Sequence, residues 1–313
     1  MAKLNYGSLP TEQVNPRTRK IDRISIEKAI DLMHREDQSV ANIVHREKKQ
    51  IARSVRMITQ SLQNGGKLFF VGAGTSGRLG VIEAAECPPT FNTPPSLVQA
   101  VMAGGKQAVF QSKEGAEDSF NEGFRRLSRK IKSQDVVVGI AASGVTPFVY
   151  GALNAAQKIK AQTILISCNR KIPARAPAKC VICAQTGPEV ISGSTRLKAG
   201  TATKLILNRL TVLSMIQLGK VYQNWMVDLR PKSRKLEARA ERLVSHLGGV
   251  NEKKASQLLK HSQGNPKTAI FMAQTGCSAV TAKLKLKKAS GFLAKALSSN
   301  VPLKNRIRPT RAS

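Results

Sequence analysis

Two carboxylates and three hydroxyl-rich glycine turns hold most of the chemistry this chain could perform. Glu86 closes the stretch Leu68–Glu86, LFFVGAGTSGRLGVIEAAE, and is followed by Cys87-Pro88-Pro89-Thr90. Glu117 lies in EGAEDS at 114–119. Two carboxylates sharing a substrate can divide proton abstraction from proton donation. A pocket that raises one of their pKa values makes that one the acid. Glu114 and Asp118 flank Glu117 and read as ordinary helix-start or surface carboxylates.

The turns supply an anchor for an anion. The apolar run Leu68–Val71 breaks into Gly72-Ala73-Gly74-Thr75-Ser76-Gly77 and then into a helical pattern. Glycines let the backbone turn sharply, and the unpaired N–H groups of a helix start attract anions. Gly74, Thr75, Ser76 and Arg78 are the candidate phosphate contacts, with Arg78 a fixed positive charge. A second turn, Ala141-Ala142-Ser143-Gly144-Val145-Thr146-Pro147, offers Ser143, Gly144 and Thr146 in the same way. A third, running from Glu189 through Ser192, Ser194 and Lys198 to Thr201, is again a polar cluster opening a helix. Gly72-x-Gly74-x-x-Gly77 also matches the dinucleotide fingerprint. That fingerprint needs an acid after the second strand to hold a ribose. The second strand candidate ends Met102-Ala103-Gly104-Gly105-Lys106, without one. A small phosphate ester fits these loops better than NAD.

Strands and helices must position the turns. Short runs rich in Val, Ile, Leu and Phe predict strands at Lys67–Val71, Leu97–Met102, Asp135–Ile140, Thr163–Ser167 and Lys179–Ala184. Helical patterns lie between them at Leu79–Ala85, Glu114–Lys130 and Pro147–Lys158. The alternation predicts an α/β parallel sheet with ligands at the carboxyl ends of strands one and three. Upstream, residues 1–22 read as a polar extended arm. A helix follows over Ile24–Arg35, and a longer one, capped by Ser39, over Val40–Leu62. Downstream, a long helix runs from about Gly193 to Leu218 and another over Lys232–Leu247, with Pro231 at its start. Short helices follow at Asn251–His261, Pro266–Gln274, Ser278–Lys288 and Gly291–Leu297. This divides the chain into an arm (1–22), an α/β phosphate-binding domain with N-terminal helices (23–229), a small all-α domain (230–300) and a disordered basic tail (301–313).

Composition narrows the partners. A hydrophobic content of 41% over 313 residues and the lack of a bilayer-length apolar run argue for a globular protein with no membrane partner. The amino-terminal stretch has no apolar core of a secretory signal, which predicts a cytoplasmic protein. Five cysteines, an odd number, fit reduced thiols. Cys180-Val-Ile-Cys183 lacks a second pair or a nearby His, so zinc or redox work is not expected of it. The four histidines are scattered and form no close ligand pair, so no metal site is expected of them. The net charge is +32, and residues 230–313 alone hold 19 basic against 3 acidic side chains. Such an excess attracts polyanions. With aromatics at 4% and no nucleic-acid-binding motif, a solvated basic surface is the better reading than a nucleic-acid partner.

The motifs together resemble one family. GAGTSGRLG and AAECPPT within Leu68–Thr90, EGAEDS at 114–119, VVVGIAASGVTP at 136–147 and GSTRLKAGTATK at 193–204 are similar to N-acetylmuramic acid 6-phosphate etherases. So are TEQVNPRTRKID at 11–22 and GKVYQNWMVDL at 219–229. The resemblance implies a sugar-isomerase (SIS) domain with a five-stranded parallel sheet, a homodimer, and a C-terminal helical module like a ubiquitin-associated (UBA) domain. It implies cleavage of the D-lactyl ether of the sugar phosphate by water, without metal or organic cofactor. Glu86 then corresponds to the proton donor and Glu117 to the second catalytic carboxylate. The chain departs from the usual pattern at Val145, where Arg is common, and at Thr203, where Gln is common. A non-catalytic sugar-phosphate sensor, like the related glucokinase regulatory proteins, is the alternative. Retention of both glutamates favours the enzyme.

Overall fold

The computed structural model describes residues 7, 9–170, 172, 176–229 and 234–299. The expected basic tail and the predicted helix start at Pro231 lie outside them. The chain divides into two units. The first comprises residues up to Cys87 together with Pro94–Ser214; the second comprises Pro88–Thr93 and the residues from Met215 onward.

The first unit is built on five parallel strands: β1 (Leu68–Gly72), β2 (Val98–Met102), β3 (Val136–Ile140), β4 (Gln162–Ser167) and β5 (Cys180–Cys183). Their order is β2-β1-β3-β4-β5. β1 and β3 are buried along their whole length, as central strands of a sheet covered on both faces should be. Gly72 pairs with Ile140 of β3 and Met102 of β2, so the carboxyl ends of the three strands are level. The strand order reverses direction at β1/β3. That is the switch point at which ligands bind in open parallel sheets.

Each predicted strand exists, with ends shifted by a residue or so. The helices show larger differences. The break between the first two falls at Glu47: α1 is Ile26–Arg46 and α2 is Lys48–Gln63. Ser39 is not a cap, because its hydroxyl bonds back to the carbonyl of Glu36 within α1. Ser25 caps α1 instead, accepting from the N–H of Lys28. The helix after β1, α3, spans Gly74–Phe91, longer at both ends than its pattern suggested. A four-residue helix, α4 (Gln107–Phe110), follows β2. The expected helix over Glu114–Lys130 is shorter. Gly115 sits at φ 71°, a 3₁₀ turn covers Ala116–Asp118, and Ser119 caps α5 (Phe120–Ser128). Helix α6 is Pro147–Lys158, as its pattern predicts. Helix α7 begins only at Lys198 and runs to Gln217.

The arm is packed rather than loose. Three 3₁₀ turns, Pro10–Glu12, Pro16–Thr18 and Ile21–Arg23, bury Thr11, Asn15 and Thr18. The Thr18 hydroxyl donates to the carbonyl of Val190 at 2.8 Å, and the N–H of Gly193 donates to the carbonyl of Thr11 at 3.2 Å.

The second unit opens with a two-stranded antiparallel ribbon, β6 (Val221–Tyr222) and β7 (Trp225–Met226). Five helices follow among the described residues: α8 (Arg234–Gly248), α9 (Glu252–His261), α10 (Pro266–Thr275), α11 (Ala279–Lys288) and α12 (Leu293–Ser298). Asn251, Asn265 and Ser278 cap α9, α10 and α11 through their side chains. The core contains Leu243, Val244, Ile270, Phe271 and Leu293. Among the described residues no helix is long and apolar enough to cross a membrane.

Candidate active site

The first turn of α3 sits directly on the end of β1. A Cβ added to Gly77 would lie 2.7 Å from the carbonyl oxygen of Gly72, and one added to Gly72 would lie 2.7 Å from the backbone nitrogen of Gly77. Only two glycines permit this approach. It places Gly74, Thr75 and Ser76 in the first helical turn, at the switch point. The hydroxyls of Thr75 and Ser76 are half-buried and make no hydrogen bond among the described residues. Arg78 is differently engaged. Its Nε and Nη2 donate to the carbonyls of Val109 and Ala108 at 2.8 and 2.9 Å, which ties α3 to α4. Two of its donors are therefore spent on the protein.

The turn after β3 lies beside the first because β1 and β3 are neighbours. Gly144 has φ +78°, and a Cβ there would meet the hydroxyl of Ser167 at 2.7 Å. Its carbonyl accepts from the Tyr150 hydroxyl at 2.8 Å. Burial pushes that phenol up to about 12. The Ser143 carbonyl accepts from Nδ2 of Asn169 at 3.1 Å, and the Ser143 hydroxyl from the N–H of Val145 at 3.3 Å. Thr146 occupies the N-cap position of α6, but its side chain makes no capping bond. Its hydroxyl, too, is uncommitted among the described residues.

The third turn meets the first at Gly200. A Cβ there would be 3.7 Å from Cγ2 of Thr75 and 3.6 Å from the carbonyl of Thr195. Ser192 and Ser194 precede α7 with no hydroxyl partner among the described residues. Glu189 and Lys198, expected as ligand contacts, are committed elsewhere. Glu189 is fully buried, and its two oxygens accept from the N–H groups of Lys198 and Ala199 at 2.9 Å each. It caps α7 with a carboxylate of the chain's own. Burial raises its pKa, opposed by those two N–H bonds and by the Lys198 charge. The Lys198 side chain is 2% exposed, with its ammonium 2.6 Å from Oε2 of Glu36. Arg17 donates to the other oxygen of Glu36. A buried cation already paired has little charge to offer a phosphate.

The two catalytic candidates part company. Glu117, exposed on its 3₁₀ turn, lines a cavity of about 80 Å³ together with Gly74, Arg78, Met102 and Glu114. Glu114, read as a plain surface carboxylate, thus borders the same space. The spacing of EGAEDS gives no sign of this; the left-handed Gly115 between the two glutamates turns both to one cavity. Glu86 is exposed on α3, twelve residues beyond Gly74. Twelve residues are about 18 Å of helix axis. Along α3 this sets Glu86 apart from the Thr75–Ser76 turn of its own chain. One turn before it, the buried Glu83 accepts from Asn208 Nδ2 at 2.5 Å and from the Thr211 hydroxyl, tying α3 to α7. Cys180 and Cys183 lie on β5, and burial lifts the Cys183 thiol to about 11.

Known proteins bear on this arrangement. Over 298 residues the chain is 45% identical to an N-acetylmuramic acid 6-phosphate etherase of Clostridium beijerinckii, covering 95% of this chain and 98% of that one. It is 49% identical to the protein of the same name from Alkaliphilus metalliredigens, covering 94% and 96%. The chain belongs to the N-acetylmuramic acid 6-phosphate etherase family. Residues 50–157 match the glucokinase regulatory protein N-terminal SIS domain, a stretch that takes in β1, β2, β3 and the first two turns of the site. A phosphoheptose isomerase from Francisella tularensis shares the fold, with a TM-score of 0.50 at 15% identity, covering 62% of this chain and all of that one. Both family and fold agree with an SIS-type α/β domain.

Proposed function

We propose that this chain is an N-acetylmuramic acid 6-phosphate etherase acting in cell-wall amino-sugar recycling, and that the hydroxyls at the β1/β3 switch point hold the substrate's phosphate. The observation that carries the site assignment is the set Thr75, Ser76, Thr146, Ser192 and Ser194. All five lie on the three turns that open α3, α6 and α7, and none is used by the protein itself among the described residues. Hydroxyls and helix-start N–H groups suit a phosphate monoester. Glu189 and Lys198 support this set from behind rather than touching the ligand.

In the ring-opened sugar the C2 proton is alpha to an aldehyde and hence acidic. Glu117, bordering the cavity next to Gly74, is the group that takes it. The C2–H electrons form the C2=C3 bond as the C3–O bond breaks, and the lactyl oxygen leaves with a proton from the acid, Glu86. Water then adds its oxygen to C3 and a proton to C2. The products are N-acetylglucosamine 6-phosphate and D-lactate. Glu86 is about 18 Å of helix from Gly74 in its own chain. It serves this reaction in a site completed by a second copy. Ile82, one turn before Glu86 and 57% exposed, gives such a homodimer an apolar contact near Glu86. The second unit is read as the family's UBA-like helical module, and the protein as cytoplasmic. The sensor alternative is disfavoured by etherase relatives that match nearly end to end and by retention of both glutamates. The test is direct. Incubation with N-acetylmuramic acid 6-phosphate releases D-lactate, read by D-lactate dehydrogenase; sugar-phosphate binding without any lactate favours the sensor.

A further inference from the structure

The amino-terminal arm is tied to the third turn of the site by buried polar contacts. Lys198 joins three elements: its N–H is capped by Glu189, its ammonium rests on Glu36 of α1, and Glu36 accepts from Arg17 of the arm. Glu36 and Lys198 are 3% and 2% exposed at their side chains. The arm makes further bonds to the segment leading into α7. Asn15 Nδ2 reaches the carbonyl of Pro188 at 3.5 Å, Thr18 that of Val190 at 2.8 Å, and the carbonyl of Thr11 holds the N–H of Gly193 at 3.2 Å. The segment held in this way carries Ser192 and Ser194, and it abuts Thr75 through Gly200.

We infer that Arg17 is a positioning residue: by clamping the Glu36–Lys198 pair it fixes the Ser192–Thr195 turn against Thr75 and so sets the affinity of the phosphate site. The physical reason is charge balance in a dry place. One buried carboxylate faces two cations, and Lys198 cannot move without uncovering it. Removing Arg17 leaves Lys198 as the sole cation on Glu36, which pulls the start of α7 toward α1 and away from Thr75. Arg17 itself is 68% exposed at the side chain, so truncating it opens no cavity. This inference rests on the reading of the hydroxyl set as a phosphate site.

The test uses the full chain with two probes: inorganic phosphate by titration calorimetry, and N-acetylmuramic acid 6-phosphate by lactate release. Arg17→Ala raises the phosphate Kd and the KM together by about fivefold, with kcat changed by less than about twofold. Arg17→Lys recovers part of the loss, since it keeps the charge without the guanidinium geometry. Arg19→Ala, a cation of the same arm, leaves both unchanged. A lowered Tm in Arg17→Ala with phosphate Kd and KM unaltered overturns the inference, as does an equal loss in Arg19→Ala. Wild-type protein that binds no phosphate overturns it as well. Absence of lactate with the Kd difference intact sinks the reaction and leaves the inference standing.

Discussion

Replacing Glu36 with Gln tests how much the buried ion cluster contributes to the first unit. The Glu36 side chain is 3% exposed, with Lys198 at 2.6 Å on one oxygen and Arg17 on the other. Its hydrogen bond from Arg17, together with that from Lys198 and both charges, outweighs burial and holds its pKa at about 2, against an ordinary 4.5. A depressed carboxylate stabilises the fold above its unfolded pKa and loses that contribution as pH falls through the folded value. The difference of about 2.5 pH units corresponds to about 3 kcal/mol at pH 7. At pH 3.5 roughly 2 kcal/mol remains, and near pH 2 almost none. The variant also leaves the Lys198 ammonium buried without its counter-charge, a loss of about 3–5 kcal/mol for a broken buried pair. Urea unfolding at pH 7, 4.5 and 3.5 measures both. The expected result is a gap between wild type and Glu36→Gln of about 3 kcal/mol or more at pH 7 that narrows by about 1 kcal/mol at pH 3.5. A gap below 1 kcal/mol, or one independent of pH, refutes the assignment of Glu36 as an ionised, paired carboxylate.

Other expectations follow from the same geometry. Glu117→Gln lowers lactate release by roughly 10²–10⁴-fold while phosphate affinity stays near wild type, read by activity and calorimetry in parallel. If Glu86 acts across a dimer, Glu86→Gln and Glu117→Gln are each inactive, yet an equimolar mixture refolded together recovers roughly a quarter of wild-type activity; no recovery argues against a shared site. Gly77→Ala forces a Cβ to 2.7 Å from the Gly72 carbonyl, so it costs about 1–3 kcal/mol of stability and weakens phosphate binding, seen by thermal shift with and without phosphate. Glu83→Ala strands the donors of Asn208 and Thr211, lowering stability by about 1–3 kcal/mol in chemical denaturation.

The sheet was legible because its strands are short apolar runs between turn signals, and such runs have few alternatives in an alternating pattern. The first two turns were legible for the same reason: each directly follows a strand, and adjacency of β1 and β3 brings them together. Helix boundaries failed where a polar residue had two possible uses. Ser39 has the type of a cap, but its hydroxyl finds a carbonyl inside α1. The helix expected from Glu114 is cut by Gly115 and restarted by Ser119, a choice decided by φ at one glycine. Lys198 shows the limit most clearly. Within its own motif it looks like a phosphate ligand; its partner Glu36 lies 162 positions away and carries no local mark. The arm is similar: Thr11, Asn15 and Thr18 are polar residues in a proline-containing stretch, and only contacts far along the chain make them interior. The separation of Glu86 from the loop follows from α3 beginning at Gly74, inside the glycine turn, rather than at Leu79 where its pattern starts.

The contact between Gly72 and Gly77 limits how this site can change. Each position is closed by the other's backbone, and both already carry the smallest residue. A larger side chain at one cannot be offset by a smaller one at its partner, so no compensating pair exists. Randomised libraries of this loop are therefore expected to return variants at Thr75, Ser76 and the cavity wall, with 72 and 77 invariant. New ligand preferences in this scaffold would have to arise around a fixed hinge of two backbones rather than by reshaping it.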